Sequence, residues 1–214
     1  MATNNSSIDD YIRLAPVIPV VTIEDARASI DLAQTLLQAG LPVIEITLRT
    51  PAALDAISAI AKAVPEAVVA AGTILHASQI SEVVDAGAKF IVTPGTPLLL
   101  AEQLRQAPIP VMPGCSTVSE AMTLASLGFD RLKFFPAAAS GGAAWLTSVQ
   151  GPLPGIAFCP TGGIDQANAA SYLKLPNVAC VGGTWVTPAD ALKASDFATI
   201  RRLASEAAAL RTAG

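Results

Sequence analysis

The stretch VVAAGTILHASQISEVVDAGAKFIVTPG, Val68 to Gly95, holds the pattern from which the rest of the chain is read. It opens on a β-branched and small apolar run, VVAAGTI. A polar-apolar segment of helical character follows, Ala77 to Ala86, and the stretch ends on a second apolar run, FIVTPG. Two apolar runs joined by a helix of this length predict a βαβ unit with parallel strands, because a parallel pair needs a long crossover.

The same unit recurs on both sides. Upstream lie PVIPVV from Pro16 and VIEITL from Val43. Downstream lie IPVMPG from Ile109, RLKFFP from Arg131, IAFCPTGG from Ile156 and VACVGGTW from Val178. Helical stretches are expected between them, at Ala26 to Gln38, Pro51 to Ala63, Leu98 to Gln106, Val118 to Leu127 and Gln166 to Leu173. The runs are almost continuously apolar, as strands covered on both faces must be. Eight such units predict an α/β fold of the (β/α)8 TIM-barrel type. A doubly wound open sheet fits less well, since it has fewer strands and a Gly-rich first turn that is missing here. Ser6 and Ser7 ahead of Asp9 and Asp10 read as a capping box, so a short N-terminal helix is expected before Pro16. With no linker and no shift in composition, residues 1–214 read as one barrel domain.

Composition narrows the function. Of 214 residues, 52% are hydrophobic and 14% charged, with a formal net charge of −4. Disorder is excluded by the first figure. The acidic balance, without a Lys/Arg cluster, argues against nucleic acid. Mean hydropathy is +0.52, yet no run of about 18 apolar residues exists to span a bilayer. The longest charge-free stretch, residues 134–164, is broken by Pro136, Pro152, Pro154 and Pro160. No membrane association is expected, the N-terminus lacks the layout of a signal peptide, and three cysteines do not make a disulfide framework. A cytoplasmic protein is expected. The charged fraction falls below the ~25% of ordinary domains, which favours an oligomer that hides part of its surface.

Charges inside apolar strands are the candidates for chemistry. Lys133, in RLKFFP, must be paired or must give up its proton readily if it is buried. Such an amine suits Schiff-base formation with a carbonyl substrate, although an internal ion pair would equally explain it. Glu45, Thr47 and Arg49 alternate in and beyond VIEITL and so are expected on one face. Glu45 could move protons there, and Arg49 could fork onto a carboxylate. Thr161-Gly162-Gly163 and Gly182-Gly183-Thr184 end the last two runs, where barrels of this type often hold phosphate on backbone N–H groups. His76 reads as a surface residue, and Cys115 as a thiol with no nearby His to activate it. Cys159, Cys180, Trp145 and Trp185 read as packing groups. No metal site is expected, for want of ligand spacing.

Taken together, EITLRTP from Glu45, AAGT ending at Thr73, TPG from Thr93, PGCSTVSE from Pro113, KFFPA from Lys133, FCPTGGI from Phe158 and VGGTW from Val181 resemble the 2-keto-3-deoxy-6-phosphogluconate (KDPG) and 4-hydroxy-2-oxoglutarate (KHG) aldolase family. The resemblance runs from about Pro16 to Pro188. It implies a class I, cofactor-free aldolase of the Entner–Doudoroff pathway, usually a homotrimer, acting on a phosphorylated keto acid. It further implies Lys133 as the Schiff-base residue and Glu45 as general acid/base. Arg49 and Thr73 would hold the carboxylate end of pyruvate, with Thr161 orienting it. Pro94 and Phe135 would wall the pocket, and Gly162, Gly163 and Thr184 would bind phosphate. Two positions depart from the family pattern. Thr184 stands where Ser is common, and Ala138 and Ser140 stand where Glu and Asn often follow KFFPA. The galactonate-derived isomer as substrate, a phosphosugar isomerase or epimerase, and a non-catalytic phosphometabolite-binding barrel are the alternatives.

Overall fold

The computed structural model describes residues 7–210. Nine strands are present among them: β1 (Val17–Val21), β2 (Val43–Thr47), β3 (Val68–Gly72), β4 (Phe90–Val92), β5 (Val111–Met112), β6 (Gly114–Cys115), β7 (Arg131–Phe134), β8 (Ala157–Pro160) and β9 (Val181–Gly183). The helices are α1 (Asp9–Ile12), α2 (Ser29–Gln38), α3 (Ala53–Ala63), α4 (Ser78–Asp85), α5 (Leu98–Leu104), α6 (Val118–Ser126), α7 (Gly142–Val149), α8 (Ala169–Leu173), α9 (Ala189–Lys193) and α10 (Phe197–Ala208). Strand and helix alternate as the repeating pattern requires, and every strand pairing is parallel.

Hydrogen bonding divides the strands into a six-stranded sheet, β5-β4-β3-β2-β1-β9, and a three-stranded sheet, β6-β7-β8. This differs from one uninterrupted eight-stranded ladder. The fifth run is cut in two at Pro113, a residue with no N–H to contribute to a ladder. Its first half pairs with β4 and its second with β7. On the other side the two sheets touch through isolated parallel bridges, Phe158 to Val178 and Thr161 to Gly182.

Alternation along the strands sorts the apolar residues into two cores. One set, including Ile44, Ile46, Leu132, Phe134 and Phe158, packs outward against the helices. Trp145 of α7 stacks on Phe134, with centroids 4.3 Å apart, and meets Phe158 edge-on. The other set, Ile18, Val43, Ala70, Phe90, Val92, Met112, Cys159 and Cys180, forms a second, inner cluster on the opposite face of the strands.

The expected N-terminal helix is α1. Ser6 of the anticipated capping box lies outside the described residues, but Ser7 makes a reciprocal cap: its Oγ accepts from the Asp9 N–H at 3.3 Å and its N–H donates to Asp10 Oδ2 at 2.7 Å. Ile12 from α1 joins the inner core, and Tyr11 stacks on Phe90 at 5.7 Å. Asp9 forms a two-pronged pair with Arg131, at the start of β7, with both oxygens 2.7 Å from guanidinium nitrogens. α1 therefore sits across the N-terminal ends of the strands, and the opposite, C-terminal end is left for chemistry.

Candidate functional site

Leu132 and Phe134 belong to the outer core, so the pleat turns Lys133 inward. The same parity turns Glu45 inward between Ile44 and Ile46. The two meet: Lys133 Nζ donates to Glu45 Oε1 at 2.9 Å, and their side chains are only 5% and 2% exposed. A carboxylate crossing toward β7 needs space on the neighbouring strand. Gly72 supplies it, since a Cβ there would lie 2.2 Å from Glu45 Oε1. The Phe135 ring centroid is 5.6 Å from Lys133 Nζ, in cation–π range.

The other expected residues lie at or just past the C-terminal ends of the strands. Thr73, next after Gly72, adopts φ 63°. For a β-branched residue this left-handed conformation is strained by about 1–3 kcal/mol. Pro94 is half-buried just past β4, and the turn carrying it is tied down by side chains. Thr93 Oγ accepts the Gly114 N–H at 2.8 Å and lies 2.7 Å from Thr96 Oγ, which donates to the Gly114 carbonyl at 2.9 Å. These hydroxyls connect β4 to β6 across the break at Pro113.

Thr161 is buried, and Gly182 opposite it is obligatory for space: a Cβ there would stand 2.3 Å from Thr161 Oγ. Gly162 and Gly163 take φ of 95° and 74°, a region glycine enters without penalty. Ala138 packs closely on Gly163, where a Cβ would come within 2.5 Å of it. Thr184 is exposed at the end of β9.

Arg49 departs from the expected strand alternation. β2 ends at Thr47, and Arg49 occupies the turn beyond, its N–H donating to the Thr47 carbonyl at 2.8 Å. The side chain is exposed and its guanidinium is unpaired among the described residues. Thr47 keeps the alternation and is buried; its hydroxyl donates to the Val21 carbonyl at 3.1 Å and lies 3.0 Å from Thr22 Oγ. The sequence assigns no role to Thr22 or Thr96, and Gly72 and Thr93 figure in it only within the AAGT and TPG motifs. A hydroxyl immediately past an apolar run, as in TPG, is the signal that points to a linking role for Thr93.

The remaining candidates fall where expected. His76 is exposed in the loop before α4. Cys115, Cys159 and Cys180 are buried thiols outside any disulfide. Burial pushes the Cys115 thiol up to about 12, with the Glu120 carboxylate adding to the effect, so it is no nucleophile near neutrality.

Comparison with known proteins supplies the family. The model described as "Aldolase: KDPG and KHG aldolase" matches residues 8–203. The chain belongs to the KDPG and KHG aldolase family. It is 46% identical over 202 residues to the KHG/KDPG aldolase of Escherichia coli K12, covering 94% of this chain and 95% of that one. Among solved structures, the KDPG aldolase of Legionella pneumophila, with pyruvate captured at low pH as a covalent carbinolamine intermediate, superposes with a TM-score of 0.91. It is 40% identical and covers 94% of this chain and 97% of its own. The Zymomonas mobilis KDPG aldolase with 3-phosphoglycerate gives a TM-score of 0.90 at 44% identity, covering 95% of each chain.

Proposed function

We propose that this KDPG and KHG aldolase family member is a class I aldolase that cleaves KDPG to pyruvate and glyceraldehyde 3-phosphate, and also cleaves KHG to pyruvate and glyoxylate. The observation that carries the reading is the buried Lys133–Glu45 pair at the C-terminal ends of the strands. A buried ion pair is poor value for stability alone, whereas a lysine beside a carboxylate that can receive its proton is equipped to attack a ketone.

In the proposed sequence, Lys133 passes a proton to Glu45 and its free amine adds to C2 of the keto acid. Glu45 returns that proton to the carbinolamine hydroxyl, which leaves as water to give an iminium and restores the Glu45 carboxylate. That cation accepts the electron pair of the C3–C4 bond as the bond breaks, and Glu45 takes the proton of the C4 hydroxyl, directly or through water. Glyceraldehyde 3-phosphate leaves, an enamine remains on Lys133, and a proton returned through Glu45 to C3 regenerates the iminium. Water then adds to C2 and releases pyruvate. The iminium is the electron sink, so the cycle needs no cofactor. Arg49 and Thr73 hold the substrate carboxylate, Thr161 orients it, and Pro94 and Phe135 wall the pyruvate portion. Gly162, Gly163 and Thr184 receive the phosphate. The unpaired guanidinium of Arg49 and the left-handed turn at Gly162–Gly163 support these roles.

The finer architecture belongs to the same proposal. Two isolated bridges on one side and the split fifth run on the other support a closed (β/α)8 barrel formed by residues 1–214 as one domain. The exposed apolar side chains Leu75, Leu98, Leu99 and Met122 support burial in a homotrimer, and the protein is placed in the cytoplasm, where its three thiols stay reduced.

The test is reductive trapping. Sodium borohydride added with pyruvate should fix a covalent mass increment on Lys133, and the Lys133→Met variant should take up none. A protein that releases pyruvate from KDPG without ever being trapped would be acting by another mechanism. One that binds phosphorylated acids and releases no pyruvate would be the non-catalytic alternative.

A further inference from the structure

A cavity of about 750 Å³ opens between the segment after β1 and the segment after β9. Its lining includes Val20, Thr22, Leu32, Thr184 and Trp185. Trp185 can fold over the chain there because residue 183 is glycine; a Cβ at Gly183 would lie 1.7 Å from the indole ring. The cavity reaches the inner face at Val20, the register partner of Glu45. It therefore borders the strand position next to Glu45 and shares Thr184 with the proposed phosphate position.

One polar group on its wall has a fixed hydrogen-bonding sense. Thr47 has a single hydroxyl hydrogen, and the Val21 carbonyl can only accept it. Both contacts are hydrogen bonds at once only with Thr22 as the donor in its 3.0 Å contact with Thr47. Its own hydrogen is used, and the remaining lone pairs of Thr22 Oγ are available only as acceptors.

Strand order indicates what those lone pairs meet. In the six-stranded sheet β1 lies between β9 and β2. Thr22 follows β1, Thr184 follows β9, and Glu45 is on β2. On the aldolase reading, on which this inference rests, Glu45 serves the C4 hydroxyl and Thr184 the phosphate on C6. The carbon between those two is C5. We infer that Thr22 is a specificity-determining residue whose Oγ accepts a hydrogen bond from the C5 hydroxyl of the phosphorylated substrate. KHG, which has a carboxylate carbon at that position and no hydroxyl, cannot make this bond. Thr22 thus selects hydroxylated, phosphorylated chains over the shorter dicarboxylate.

The experiment compares kcat/KM for KDPG and KHG in the wild type, Thr22→Val and Thr22→Ser. Valine keeps the shape and removes the hydroxyl, so the KDPG-to-KHG ratio should fall by about tenfold, and serine should restore most of it. A parallel fall with both substrates would mean that Thr22 acts on Glu45 through Thr47, and would overturn the inference. So would an unchanged ratio. Pyruvate–borohydride trapping on Lys133 is run in all three proteins, since pyruvate has no C5. Failure to trap the wild type overturns the aldolase reading and this inference with it, whereas normal trapping with an unmoved ratio overturns the inference alone.

Discussion

At the scale of residues, the lysine–carboxylate contact depends on what is missing from its neighbour. Gly72 has no side chain, and Glu45 Oε1 occupies the space where one would be. Gly72→Ala should therefore displace the carboxylate from Lys133 and lower kcat by about 10²-fold, a scale set by loss of a positioned proton-transfer group. Glu45→Gln, which keeps the shape and removes the base, should cost about 10²–10⁴ in kcat. Both variants are assayed by lactate dehydrogenase-coupled pyruvate release. Lys133 and Glu45 were legible in the sequence because a charge inside an otherwise apolar strand has few explanations. Gly72 was not, because its role exists only when β2 and β3 lie side by side. Only the strand face expected for Arg49 differs, for a related reason: alternation holds while the strand continues, and the turn after Thr47 ends it.

At the scale of elements, periodicity located most helices to within a few residues. Ala77 to Ala86 became α4 at Ser78–Asp85, and Val118 to Leu127 became α6 at Val118–Ser126. The latter start is set by the Thr117–Glu120 capping box. α7 escaped notice because it opens on Gly141 and Gly142, both at positive φ, in a stretch without charges to mark a polar face. α9 and α10, beyond the last apolar run, were also passed over. α1 carries a prediction of its own. The Arg131 guanidinium hydrogen-bonded to Asp9 holds that carboxyl below its ordinary value of 3.8. A carboxyl depressed on folding stabilises the native state above its ordinary value, and the benefit disappears as pH falls through the depressed one. Asp9→Asn should thus cost about 1 kcal/mol near pH 7, for a partly exposed two-pronged pair. Urea midpoints of variant and wild type should draw together as pH falls below 4.

For the whole molecule, the two sheets meet at Pro113, where Thr93 and Thr96 replace ladder bonds with side-chain hydrogen bonds. Thr93→Val strands the buried Gly114 N–H and should destabilise the fold by about 1–3 kcal/mol, read as a lower urea midpoint with an unchanged slope. The thiols report on global opening. All three are buried, and the Cys115 thiol is held at about 12. Iodoacetamide at pH 8 should accordingly label the native protein slowly, and only as fast as it unfolds. The position of α1 has a further consequence. Ile12 and Tyr11 cover the inner core at the N-terminal ends of the strands, which on the closed-barrel reading turns the reaction chamber into a cul-de-sac. On the proposed mechanism, whatever condenses with Lys133 must back out by the route it entered. The phosphorylated aldehyde, nearer the mouth, has to depart while pyruvate is still tethered behind it. Product inhibition should record that order of exit, with pyruvate competing directly against KDPG and glyceraldehyde 3-phosphate giving a mixed pattern.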